Sequence, residues 1–233
     1  MNKTGIIIQA RLGSERLPNK ILLGLNGKPM LEHVIHRCQA TGLETHVAAA
    51  DNHAFVVRLC QNNWVPIYIG SHFDVLDRIY QCAKLYKLDT VVRITADCPL
   101  LDPVLVQRLV AMYEGCAPWT DICSIAAGEG AAMLGEEKMY PDGLDAEVIL
   151  FPTLETLHKT LLTGHYREHP TLWIHSHPES YTFKFLPNTR SQGHWKLSVD
   201  TEEELAAMNR IFAEYGDGVT WRQAITFLRK EQT

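Results

Sequence analysis

Arg11, Arg16 and Lys20 fall in one stretch, Gln9-Ala10-Arg11-Leu12-Gly13-Ser14-Glu15-Arg16-Leu17-Pro18-Asn19-Lys20, directly after an apolar run. A guanidinium offers a planar fork of donors and an ammonium a compact charge, so cations converging on one loop suit the many oxygens of a polyphosphate. Gly13 allows a close approach of backbone to ligand, and Ser14 and the loop amides can donate hydrogen bonds. No Gly-Lys-Ser/Thr follows and the glycine spacing of a dinucleotide fingerprint is absent, so this is neither a Walker loop nor that motif. A solvated basic loop is the bland alternative.

Carboxylates supply the second half of the chemistry. Asp97 follows an apolar strand pattern in Arg93-Ile94-Thr95-Ala96-Asp97-Cys98-Pro99, and Asp200 follows Lys196-Leu197-Ser198-Val199. Each fits a turn or helix entry. Each also fits a ligand for Mg²⁺, which takes oxygen donors and bridges to phosphates. Two carboxylates on separate strand ends facing a basic loop make a phosphoryl-transfer constellation. Tyr140-Pro141-Asp142-Gly143-Leu144-Asp145-Ala146-Glu147 adds further acids. Asp142-Gly143 is an ordinary turn pair, whereas Asp145 and Glu147 would share one face of a strand and suit an acceptor's hydroxyls or amines. His165-Tyr166-Arg167-Glu168-His169 matches an inverted zinc-protease pattern, but Pro170 follows and would end the helix that pattern needs.

These groups need strands to carry them. Apolar runs over residues 5–10, 45–50, 65–69 and 90–95 alternate with amphipathic stretches, which predicts βαβ units and a mainly parallel sheet. Ligands of such sheets sit at the carboxyl ends of strands, here Ala10-Arg11, Ala50-Asp51 and Ala96-Asp97. Pro29 opens one helix; Asp51, Asp74 and Asp102 are candidate caps for three more, and Thr201 with Glu204 and Thr220 with Gln223 for the last two. Strands are predicted at 122–125, 146–151, 181–186 and 195–199, and helices over 152–162 and part of 166–175. Residues 126–140 read as a mobile excursion. The expectation is one domain over 1–233 with an arm or insertion around 126–190, whose aromatics leave a homodimer open.

The net charge of −5 gives no basic surface for nucleic acid or a membrane. No apolar run reaches membrane-spanning length, and the one at residues 5–8 is too short for a leader peptide. Cys38, Cys60, Cys82, Cys98, Cys116 and Cys123 form no Cys-x-x-Cys pair and read as reduced thiols of a cytoplasmic protein.

With these residues in place the chain resembles the cytidylyltransferase family of the spore coat polysaccharide biosynthesis protein F. It is more distantly similar to the CMP-sugar synthetases for acylneuraminate and 3-deoxy-manno-octulosonate. The carriers are residues 9–20, Gly70-Ser71-His72-Phe73-Asp74-Val75-Leu76-Asp77-Arg78, residues 92–103 and 141–148, Arg167-Glu168-His169 and Val199-Asp200-Thr201. The resemblance implies an α/β, Rossmann-like fold of the nucleotide-diphospho-sugar transferase type, with a mixed, mainly parallel sheet flanked by helices. It implies CTP as substrate, Mg²⁺ as cofactor and a sugar-like or acidic small-molecule acceptor. Arg11 and Lys20 would meet the triphosphate, with Gln9, Ala10, Gly13, Ser14 and Arg16 in support. Asp97 and Asp200 would hold the metal. Asp51, Asp77, Arg78 and Arg93 would lie near the nucleotide, and Asp142, Asp145, Glu147, Arg167, Glu168 and His169 toward the acceptor. Three positions depart from the family's habit: Ala48-Ala49-Ala50 replaces a threonine-bearing segment, Lys196 stands for an arginine and Ile125 for an asparagine. A sugar-nucleotide-dependent glycosyltransferase, another nucleotidyltransferase and a non-catalytic nucleotide-binding subunit are the rival readings.

Overall fold

The computed structural model of the protein describes residues 2–117, 119–125, 139–162 and 164–232. The excursion expected at 126–140 falls, up to residue 138, outside the described residues.

The longest apolar runs form the middle of the molecule. Strand β1 (Thr4–Ala10) buries Ile6, Ile7 and Ile8 completely, because it is paired on both edges and covered on both faces. Its parallel partners are β4 (Glu44–Ala49) and β6 (Thr90–Thr95), and β5 (Ile67–Ile69) extends the sheet beyond β4. Beyond β6 lie β8 (Ala146–Leu150), β7 (Ile122–Ile125) and β9 (Phe183–Leu186), giving seven strands in the order β5-β4-β1-β6-β8-β7-β9. Only β8 runs against its neighbours. The sheet is thus mixed and mainly parallel, and β8 and β9, from the stretch expected as an arm, belong to it.

Helices follow the strand pattern. Ile6 and Ile8 face one core with α1 (Met30–Gln39), α2 (Ala54–Asn62), α4 (Pro103–Glu114), α8 (Glu202–Tyr215) and α9 (Trp221–Glu231). Ile7 faces the other core with α3 (Val75–Tyr86), α5 (Phe151–Thr160) and Ile174 of α7 (Pro170–Ser176). Pro170 separates α7 from the single turn α6 (His165–Glu168), as its missing N–H requires. Asp74 and Asp102 cap α3 and α4, and complete capping boxes at Thr201 and Thr220 start α8 and α9.

Three local expectations are corrected. Asp51 caps nothing: α2 starts after His53 without a side-chain cap, and Asp51 instead accepts the Leu12 N–H at 3.1 Å. Residues 195–199 form no strand, only an isolated bridge between Asp142 and Lys196, because Trp195 and Leu197 spend their backbone bonds on Asp142. A hairpin of β2 (Gly24–Leu25) and β3 (Lys28–Pro29) was not anticipated, although Asn26-Gly27 announces it: φ is +47° and +79° at the two turn residues, the signature of the tight turn that Asn-Gly favours.

Asp102 does more than cap. One carboxylate oxygen accepts the N–H groups of Val104 and Leu105, and the other accepts the indole N–H of buried Trp221 at 3.0 Å, joining α4 to α9. Asp102→Ala should cost about 2 kcal/mol, the loss of a cap plus a stranded indole donor, measured by urea denaturation.

Candidate active site

The direction of chain connection reverses at β1, which has β4 on one edge and β6 on the other, so a crevice opens at the carboxyl ends of these strands. A cleft of about 780 Å³ lies there. The loop after β1 forms one of its sides. Leu17 and Ile21 are sunk in the core and pin the loop, while Asn19, at φ +55°, turns the chain into the 3₁₀ turn Lys20–Leu22. Arg11, Arg16 and Lys20 all line the cleft, with Gln9, Gly13 and Ser14 beside them.

Each of the three cations already meets an acid. Arg11 pairs with Glu168 at 2.8 Å and Arg16 with Asp200 at 3.2 Å. The Lys20 ammonium, only 11% exposed, bridges Asp97 at 2.5 Å and Asp200 at 2.8 Å. The two carboxylates expected to share an ion therefore converge on one point. Their approach is built by backbone: Val199 donates to the Asp97 carbonyl at 3.1 Å, and Glu204 accepts from the Asp200 and Thr201 N–H groups. Burial by itself would raise the Asp200 carboxyl, but Lys196 and Lys20 outweigh it and bring it down to about 2. Burial likewise works against the Lys20 charge, and Asp97 and Asp200 overcome it and raise the ammonium.

Gly143 brings the acidic turn against this strip. Its φ is +101°, and a β-carbon there would lie 2.3 Å from the Ser198 nitrogen and 2.4 Å from the Leu197 carbonyl carbon. Asp142 accepts from Ser198 Oγ at 2.9 Å, and Asp145 from the Gly143 N–H at 2.9 Å. Burial pushes the Asp145 carboxyl up to about 7, with Asp142, Glu147 and Asp97 adding to the rise against the pull of the Gly143 bond.

Arg93 and Glu147 are register partners on β6 and β8 and pair at 2.5 Å, with Arg93 Nε also donating to Gln9 at 2.9 Å. Arg78 is 1% exposed; it donates to the Ser71 carbonyl, its Nε has no hydrogen-bond partner among the described residues, and burial together with the Arg11 charge lowers it to about 10. His169 and Glu168 line the cleft as well.

Four expected site residues do not line it. Ala10 is buried in the core. Asp51 holds Leu12 and His72. Asp77 bonds His158 and Gln81 between α3 and α5. Arg167 pairs with Asp74 at 2.6 Å and donates to the carbonyls of His158 and Leu161, fixing α6 to α3. Ala10 is held by the core, and the other three side chains are engaged by partners distant in the chain. Conversely, Ser124, His175 and Phe185 line the cleft and were not foreseen. Ser124 reads as an ordinary strand position and His175 as a helix residue, so only the pairing of β7 and β9 with the sheet reveals them. The zinc-protease reading fails on geometry: Glu168 is engaged by Arg11, its helix is a single turn, and the described residues contain no cluster of three or more metal-ligating side chains.

A mixed, mainly parallel sheet whose first loop gathers cations against two convergent aspartates fits a nucleotidyltransferase. Residues 5–214 match the sequence model of the cytidylyltransferase family, and the chain belongs to that family. It is 33% identical to 3-deoxy-manno-octulosonate cytidylyltransferase of Brucella suis over 78% of this chain and 72% of that protein. It is 27% identical to the spore coat polysaccharide biosynthesis protein SpsF of Bacillus subtilis, over 99% and 95%. In fold it superposes on a cytidylyltransferase from Leptospira borgpetersenii with a TM-score of 0.90 at 24% identity, covering 100% of this chain and 96% of that one.

Two measurements check this geometry. Gly143→Ala forces a β-carbon into backbone and should cost about 3 kcal/mol in thermal or chemical denaturation. For Asp145, folding favours the protonated carboxyl, so its contribution is complete below the ordinary value and is lost as pH rises through about 7. Relative to Asp145→Asn, the wild-type chain should therefore lose on the order of 3 kcal/mol of stability between about pH 4 and pH 7, read from denaturation midpoints.

Proposed function

We propose that the protein transfers CMP from CTP to a hydroxyl of a small sugar-like acceptor, with release of pyrophosphate, in the synthesis of a surface polysaccharide or glycoconjugate. The observation that carries this reading is the convergence of Lys20, Asp97 and Asp200 within hydrogen-bonding distance at the mouth of the phosphate loop. In this reading Arg11, Arg16 and Lys20 exchange their protein carboxylates for triphosphate oxygens, and Gly13 leaves room for the phosphates beside the loop amides. Arg78, buried without a carboxylate partner within 4 Å among the described residues, is held ready to face the nucleotide.

Asp97 and Asp200 fit Mg²⁺ by the chemistry of the donors: two hard carboxylates already gathered around a cation, to which phosphate oxygens and water would add. When bound, the ion would offset charge on the phosphate oxygens. The chain's own contribution is to hold the nucleotide's phosphates along the loop and to leave the acceptor room beside Asp142, Asp145 and Glu147. His169 lines the same cleft and is the candidate to take the proton from an acceptor hydroxyl. A cytoplasmic setting, supported by six free thiols, and a homodimer complete the reading.

Pyrophosphate release with CTP and Mg²⁺, screened against sugar-like acceptors and against the other nucleoside triphosphates, tests it. Asp97→Asn and Lys20→Ala should each lower the rate by about tenfold or more while circular dichroism shows the fold retained. Near-wild-type turnover in both would remove these residues from the mechanism.

A further inference from the structure

Three strands across the sheet from the phosphate loop, the cleft has a wall of a different character. Arg93, Glu147, Ser124 and Phe185 are successive register partners on β6, β8, β7 and β9, so their side chains project from one face in a single row. His175, on α7, stacks on Phe185 with ring centroids 5.9 Å apart and planes 16° from parallel. His175 is 3% exposed and Ser124 4%, and both line the cleft. Neither ring nitrogen of His175 nor the Ser124 hydroxyl has a hydrogen-bond partner among the described residues. The Thr171 carbonyl, one helical turn before His175, acts on the ring without reaching bonding geometry.

Buried polar side chains are almost always satisfied, so two orphans facing one cleft call for a partner that the described residues do not supply. With strands about 4.8 Å apart, Ser124 lies roughly 14 Å from β1, too far to belong with the phosphates on the loop. Burial lowers the His175 imidazole, which leaves it neutral with one donor and one acceptor nitrogen. The Ser124 hydroxyl likewise can donate or accept. The row's one cation, Arg93, is neutralised by Glu147.

We infer that His175 and Ser124 are the residues that read the acceptor, and that the group they seat is an uncharged hydroxyl or acylamino substituent of a sugar rather than its carboxylate. This rests on the cytidylyltransferase reading. It assigns no chemical step to either residue: they are specificity determinants that hold the acceptor while its reacting hydroxyl lies nearer Asp97.

The test uses 3-deoxy-manno-octulosonate, N-acetylneuraminate, N-acetylmannosamine and mannose as acceptors, with pyrophosphate release as the rate and calorimetric titration of CTP as an independent readout. His175→Phe keeps the stack on Phe185 and removes the polar edge. It should raise KM for every acceptor that turns over by about tenfold, with kcat and the CTP Kd unchanged within about twofold. Ser124→Ala should raise KM by about threefold or more, and His175→Asn, which restores a donor, should recover part of the loss. Unchanged acceptor KM in the folded variants would overturn the assignment, as would a CTP affinity that falls in parallel. If His175→Phe does not fold, His175→Asn and Ser124→Ala still decide it. No release with any of the four acceptors, with CTP still bound, would also overturn it. Failure of the wild-type chain to bind CTP at all would instead strike the function reading itself.

Discussion

The site depends on one ammonium. Asp97 and Asp200 belong to segments far apart in sequence, and their carboxylates would repel each other across a half-buried gap. Lys20 lies between them, and Lys196 and Arg16 add charge from the Asp200 side. A buried ion pair of this kind is weak grounds for stability, since withdrawing charges from water costs about as much as their attraction returns. Its use is positional. It holds the two acids within reach of one ammonium and puts the loop's last cation at that point.

The surroundings follow from this constraint. The Val199 bond to the Asp97 carbonyl, the bridge from Asp142 to Lys196 and the capping box at Thr201 fix the Asp200 backbone, so the carboxylate has little freedom to retreat. Gly143 is needed because that packing leaves no space for a side chain. Asp145, crowded by three other acids, stays partly protonated near neutrality, which relieves a floor that would otherwise carry one more full negative charge.

Much of this was legible in the sequence wherever the governing interaction is local. The apolar runs fixed four strands and their carboxyl ends, and the caps at Asp74, Asp102, Thr201 and Thr220 stand where their side chains can reach nearby N–H groups. Arg11, Lys20, Asp97 and Asp200 stood out because charges directly after apolar strands are conspicuous. What escaped depends on partners distant in the chain. Nothing near Asp51 says that it will hold Leu12, nothing near Arg167 that it will meet Asp74, and nothing near Ser124 that β8 and β9 will flank it. The segment at 195–199 has the composition of a strand, but its bonding is taken up by the turn at Asp142.

The reversed strand β8 has a consequence of its own. A strand that runs backwards presents its beginning, not its end, at the rim where its neighbours finish, so the acids leading into β8 arrive beside Asp97 from the opposite side of the cleft. The cleft is thereby assembled from two sources: the exits of β1 and β6 for one half, the entrance of β8 and the flank of β7 and β9 for the other. The entrance of β8 is tied to the Asp200 strip through Asp142 and Gly143, so the flank of β7 and β9 is the part of the cleft whose side chains can change at a distance from Lys20, Asp97 and Asp200.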